Sequence, residues 1–280
     1  MKKTITMLAL SAALLICCGS STLQAQTKSY IFDESGFLIR VLENNVFYPG
    51  EKYSYDVYYG VIPAGSAGIE IKSELVTYRD APCYEINTWA KSAKGFDWFF
   101  KVRDRVLSYM DSRGIFTWYF EKELHEGKYH DLKQVDYDQR TGFAYTASDS
   151  VPKDTSNIPL YVQDAITAMH YFRLQDLKVG KPIYIQVHDI TKTYPLRIDV
   201  IGRETVEVPL GTFDCYKIEP SLESAGIFKS TGRIFIWFTA DKYKIPVMLS
   251  TKILIGSITA YMKEYEAGKP ILSGEIEDRR

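Results

Sequence analysis

The chain has 280 residues, with 34 Lys and Arg against 35 Asp and Glu and a formal net charge of −1. That overall balance gives no electrostatic reason to expect nucleic acid or anionic lipid headgroups as the main partner. An aromatic share of 14% suits a β-rich core.

At the amino terminus Lys2 and Lys3 precede the apolar stretch TMLALSAALLICC, which is too short to span a bilayer as a helix. Residues 1–25 read as a secretory signal, with cleavage between Ala25 and Gln26. Leu15 to Gly19 vaguely resembles a lipobox, which makes lipidation of Cys18 the competing reading, although Cys17 stands where a small Ala, Gly or Ser is usual. Without the leader the chain has two lysines fewer and a net charge of about −3. No later segment is apolar enough for a membrane helix. The expected location is periplasmic or otherwise exported.

Residues 26–46 read as a lead-in and residues 47–265 as one β-rich domain, followed by a tail over 266–280. Tyr53, Tyr55, Val57 and Tyr59 alternate with Lys52, Ser54 and Asp56, and Ile69 and Ile71 alternate with Glu70 and Lys72. Both patterns predict half-buried strands, with Gly60, Pro63, Gly65 and Gly68 punctuating the crossing between them. The motif Cys-Tyr-x-Ile then occurs twice, at Cys83 to Ile86 and at Cys215 to Ile218. Similar segments follow each copy in the same order, a Gly-Phe aromatic segment in one matching GIFKSTG in the other, Arg105 falling against Arg233 and Tyr109 against Trp237. A repeat at so long a period predicts duplicated β-meanders, over about 47–140 and 181–265, and excludes a short-repeat solenoid. Cys83 and Cys215 then read as small buried hydrophobes at equivalent places, and a single disulfide closing a long loop is the competing reading.

Between the copies a Pro, Ser, Asp and Thr loop leads into LYVQDAITAMHYFRLQDLKVG. Val162, Ala165, Ile166, Met169 and Phe172 recur at helical spacing, and Gly180 lies beyond the end, which predicts a helix over about 161–178.

The stretches PGEKYSYDVYYGVIPAGSA, RVLSYMDS, VQDAITAMHYFRLQDLKVG and GRETVEVPLGTFDCYKIEP, with STGRIFIWFTADKYKIPV and GSITAYM after them, resemble the exported bacterial family called domain of unknown function 3108. The resemblance runs from about Phe47 to Tyr265. It implies export to the cell envelope and a shared β-rich fold, and it transfers no catalytic or cofactor residue.

Reaction chemistry finds little purchase. His125 and His130 are five apart, so in one continuous strand they face opposite sides, and a turn at Gly127 is needed to bring them together. There is no G-x-S-x-G elbow and no phosphate loop; GSAG at Gly65 to Gly68 reads as a flexible turn. The carboxylates Asp104, Asp111, Glu121, Glu123, Asp214 and Asp241 sit at strand ends and turns with nothing to single out a pair. No catalytic residue, metal ligand or cofactor is therefore expected.

These patterns predict an all-β fold: duplicated antiparallel meanders curled into an incomplete or spiral barrel, with the helix inserted in the concave face. Such a sheet and helix can leave an apolar cavity between them. Its expected lining is Trp98, Phe100, Trp118, Met169, Phe172 and Trp237, with Arg105 and Arg233 as rim contacts for an anionic group. The expected function is non-catalytic binding of an apolar or amphipathic envelope component, with a lipid, lipoprotein or envelope protein as partner. The competing reading is an envelope glycan-directed hydrolase or carbohydrate-binding protein.

Overall fold

The computed structural model describes residues 28–150, 153–190, 192–222, 233–252 and 256–270. The expected leader and cleavage point, Cys18 and the GIFKSTG segment before Arg233 lie outside these residues. The lead-in pairs β1 (Lys28–Phe32) with β2 (Leu38–Leu42) in a small antiparallel sheet. Its buried residues Ile39 and Leu42 join the main core, Ile39 packing with Phe116 and Trp118.

Fourteen strands form one antiparallel sheet. The first meander runs through β3 (Lys52–Tyr59), β4 (Ile62–Tyr78), β5 (Ala81–Ser92), β6 (Arg103–Asp111), β7 (Thr117–Glu126), β8 (Tyr129–Asp138), β9 (Phe143–Ser148) and β10 (Asp154–Asn157). The second runs through β11 (Ile183–Asp189), β12 (Lys192–Val208), β13 (Gly211–Leu222), β14 (Ile234–Thr239), β15 (Pro246–Lys252) and β16 (Ser257–Glu266). They join where β16 pairs with β3, Ile258 opposite Tyr59 and Met262 opposite Tyr55.

The two Cys-Tyr-x-Ile motifs occupy corresponding places in this ladder. Cys83 lies opposite Asp111 and Glu85 opposite Tyr109; Cys215 lies opposite Thr239 and Lys217 opposite Trp237. Three residues apart on a strand, the Cys and Ile of each motif point to opposite faces. Cys83 joins Trp118 and Phe116 while Ile86 joins Ile71 and Met110; Cys215 joins Tyr53 and Trp237 while Ile218 joins Phe172 and Phe238. The motif therefore marks a strand buried on both sides.

The GSAG segment is not a turn. Gly65 to Gly68 lie within β4, and the turn before it falls at Gly60, with φ +59°. Small residues are required here by the neighbouring strand: a Cβ on Gly65 would strike the Lys91 carbonyl, and one on Gly68 would sit 2.5 Å from the Trp89 indole.

Between the meanders lies α1 (Ala165–Arg173), the one α-helix among the described residues and shorter than its periodicity suggested. Asp164 takes the N-cap in extended conformation, so Val162 and Gln163 precede the helix, and Gln163 instead forms a parallel bridge to Val187 of β11. The helix touches both β6 and β11, strands nine places apart in the sheet order, which requires the sheet to curl around it. Among the described residues the curl does not close through a strand ladder. Across the gap the Tyr137 hydroxyl donates to the His188 carbonyl (3.3 Å) and the Thr146 hydroxyl donates to that of Ile190.

Candidate functional site: an apolar cavity under the helix

Helix α1 is fixed at both ends by buried polar groups. The Asp164 carboxylate accepts from the backbone N–H of Ile166 (2.6 Å) and Thr167 (3.0 Å), and the Thr167 hydroxyl oxygen accepts from the Asp164 N–H. This is a capping box of the kind that satisfies the first helical donors. The same carboxylate accepts from Ser108 of β6 (2.6 Å) and Thr117 of β7 (2.8 Å). Burial pushes the Asp164 carboxyl above the usual range, and these hydrogen bonds oppose that rise. At the other end Arg173 reaches Glu51, ahead of β3, and its Nε donates to the Tyr243 carbonyl (3.0 Å).

Thr167, His170 and Arg173 thereby occupy the most deeply buried face of the helix. The adjoining face, carrying Ala165, Ala168, Met169 and Phe172, looks across to β11–β14 over a cavity of about 220 Å³. Its floor is buried: Phe172, Val187, Ile198, Ile218 and Phe238. Its mouth is half-exposed, formed by Met169, Tyr194, Leu196, Pro220, Ile234 and Ile236. Among the described residues no charged side chain lines the cavity; Tyr194 and Ser221 supply the side-chain hydroxyls. Burial, followed by the charge of Asp189, pushes the Tyr194 phenol up to about 12, so it stays neutral. Such a surface cannot stabilise developing charge. It can desolvate an apolar group.

Of the eight residues expected from sequence, Met169 and Phe172 line this cavity. Trp118 lies elsewhere in the core, its Nε1 donating to Asp111 (3.0 Å). Trp237 sits on the opposite face of β14 from the lining residues Ile236 and Phe238, with its Nε1 donating to Glu204 (2.5 Å). Trp98 and Phe100 are exposed in the β5–β6 loop. Arg105 is exposed on β6, opposite Trp89, and Arg233 is held by Glu219 (2.5 Å) over the Phe235 ring. The two arginines therefore do not share a rim. Leu196, Ile198, Ile218, Ile236 and Phe238 were not singled out as lining from sequence. Their alternation predicts strands, but which strand faces the helix is a long-range matter.

The other chemical candidates resolve locally. A turn at Gly127, with φ +60°, does place His125 opposite His130, their rings 4.7 Å apart. Among the described residues no group of three or more His, Cys, Asp or Glu side chains is arranged to hold a metal ion. Asp111 accepts from Trp118 and the backbone N–H of Gly114, Asp214 pairs with Arg203, and Asp241 accepts from the N–H groups of Tyr243 and Lys244.

Fold and site together define an open, barrel-like antiparallel sheet wrapped around one helix, with an apolar cavity at one end of the wrap. The chain belongs to the family described as Protein of unknown function (DUF3108), whose model matches residues 54–263. Among solved structures it is similar to a β-barrel-like protein of domain of unknown function DUF1849 from Brucella abortus, with 11% identity, TM-score 0.53, and coverage of 80% of this chain and 100% of that one. That likeness concerns the fold alone. Weaker likenesses join it to a protein from Parabacteroides distasonis described as a candidate lipoprotein (11% identity, TM-score 0.34, 80% and 100% coverage) and to one from Bacteroides fragilis described as a candidate exported protein with a YmcC-like fold (12%, 0.30, 79% and 99%). No curated protein matches the chain. No helix among the described residues is long and apolar enough to cross a membrane.

Proposed function

We propose that this protein is an exported, non-catalytic binding protein of the cell envelope whose cavity takes the apolar part of a lipid or another amphipathic molecule. The observation that carries the reading is the lining: two sides, helix and sheet, meet in a space of about 220 Å³ without a charged group among the described residues. That space exceeds the ~150 Å³ apolar cavity known to accept benzene, so a short hydrocarbon segment fits while a headgroup stays at the half-exposed mouth. Export rests on the leader over residues 1–25. A glycan-directed reaction is the weaker reading, because no carboxylate among the described residues lines the cavity.

The test is saturable binding of anilinonaphthalene sulfonate to the native protein, combined with native mass spectrometry of protein isolated from its host. Leu196→Trp, which fills the mouth, should abolish probe binding while leaving the unfolding transition cooperative. Absence of saturable binding, or undiminished binding by the Trp variant, would overturn the reading. A co-purifying glycan in place of a lipid would do the same.

A further inference from the structure

Chain reversals at one end of the sheet carry an apolar cluster that the cavity does not use. Val61 at the β3–β4 tip is 91% exposed, and in the β5–β6 loop Trp98 is 85% and Phe99 63% exposed. The two reversals meet through their aromatic rings. Tyr59 contacts the Phe96 ring (6.4 Å), which in turn meets Phe99 (5.4 Å), and Trp98 meets Phe99 (6.0 Å). The Gly127 N–H donates to the Lys101 carbonyl (2.7 Å), joining the β7–β8 turn to the same loop. Large apolar side chains this exposed on neighbouring tips mark an interaction surface, since isolated exposed hydrophobes need no explanation but contiguous ones do.

Charge and shape select the partner. Lys94, Lys101 and Lys128 surround the cluster, all three exposed and outside the ion pairs found among the described residues. The acids nearest the cluster are engaged or half-buried: Asp97 is paired with Arg103 (2.7 Å), Asp104 accepts from the His125 N–H (2.9 Å), and Glu126 is half-buried beside Asp104. The near-neutral charge of the whole chain thus conceals three lysines grouped about this cluster. Exposed aromatic side chains flanked by lysines suit a surface that is apolar within and anionic outside. Trp at such a place suits the boundary between headgroups and acyl chains, where its ring is wetted on one edge.

We propose that this rim docks the protein onto a bilayer surface containing anionic lipid, with Trp98 and Phe99 entering the interface and the three lysines meeting headgroups. The antiparallel pairing places the reversals after β3, β5 and β7 at the same end of the sheet as the last residues of β11 and β13 and the first of β12 and β14. Val187, Tyr194, Leu196, Pro220 and Ile234 of the cavity lie there. Docking therefore brings the cavity mouth toward the lipid, although the rim does not need the cavity to be filled.

Co-sedimentation of the protein isolated from its host with vesicles of phosphatidylethanolamine and phosphatidylglycerol tests this. Wild type should bind, and binding should fall at least ten-fold for Trp98→Ser/Phe99→Ser and, separately, for Lys94→Glu/Lys101→Glu. Pure phosphatidylcholine vesicles should bind more weakly. Both variants should keep wild-type probe binding in the cavity, so loss of the cavity reading and loss of this one are distinguishable. Equal vesicle binding by wild type and the Trp98/Phe99 variant would overturn the proposal. So would absence of vesicle binding accompanied by self-association that the same variant abolishes, which would make the rim a contact between copies of the chain.

Discussion

Arg173 and Glu51, both almost wholly buried, form a two-pronged ion pair, Nη1 to Oε2 at 2.8 Å and Nη2 to Oε1 at 2.9 Å. Tyr53 and Tyr265 add their hydroxyls to Glu51, and the guanidinium lies over the Phe47 and Tyr53 rings. Removing one partner leaves an uncompensated buried charge, which costs about 3–5 kcal/mol. Arg173→Met and Glu51→Leu are each expected to destabilise by that amount, and the double variant by less than the sum. Urea denaturation of the four proteins measures this, and strictly additive effects would refute the coupling.

His170 adjoins this pair, with Nδ1 2.9 Å from the Ile166 carbonyl and the Phe47 ring edge-on at 5.0 Å. Burial, then the Arg173 charge, lowers its pKa from 6.5 to about 4. A depressed folded-state pKa means that the unfolded chain takes up the proton first. Stability is therefore full above pH 6.5 and is lost as pH falls toward 4, by roughly 3 kcal/mol at 1.36 kcal/mol per pH unit. Glu51 acts in the same direction at lower pH. Burial raises its pKa, but the Arg173 charge prevails and holds it below 4.5, so its contribution is lost as pH falls below that value. Chemical denaturation between pH 7 and 4 should show the slope, and His170→Gln should flatten its upper part.

On the helix, burial separates Phe172 from Met169. Phe172 is 1% exposed against Phe238, with ring centroids 5.0 Å apart, whereas Met169 lies at the half-exposed mouth. Phe172→Ala is expected to cost about 3–5 kcal/mol and Met169→Ala about 1 kcal/mol, because truncation at a half-exposed site leaves little new void. The same contrast predicts that Met169→Asp remains folded with a weakened cavity, while Phe172→Asp does not fold. Thermal unfolding and probe binding distinguish these outcomes.

Cys83 and Cys215 are both free and buried. Burial, followed by nearby carboxylates, raises the Cys215 thiol to about 12, and burial raises that of Cys83 further. Neither forms the reactive thiolate near neutral pH. Iodoacetamide should label neither in the native protein and both in denaturant; rapid native labelling of either would contradict its placement.

Much of this molecule is legible in local periodicity. Alternation from Tyr53 to Tyr59 predicts β3, and the recurrence of Cys-Tyr-x-Ile predicts two meanders whose registers correspond at Cys83 and Cys215. Strand period and repeated order are properties of neighbouring residues, so sequence alone determines them. It also places a helix ahead of Gly180. The helix boundaries escaped because Asp164 is recruited as N-cap by Ser108 and Thr117, more than 40 residues upstream. The glycines of β4 read as a turn because the strand that crowds them, with Lys91 and Trp89, is not adjacent in the chain. The site depended on tertiary structure for the same reason. Trp118, Trp237 and Phe172 are alike in sequence as buried aromatics, but the curl of the sheet decides which face meets the helix, and it places Phe172 alone of the three at the cavity. Trp98 lies between β5 and β6 and not within a strand, so an aromatic run expected in the lining stands exposed at a chain reversal instead.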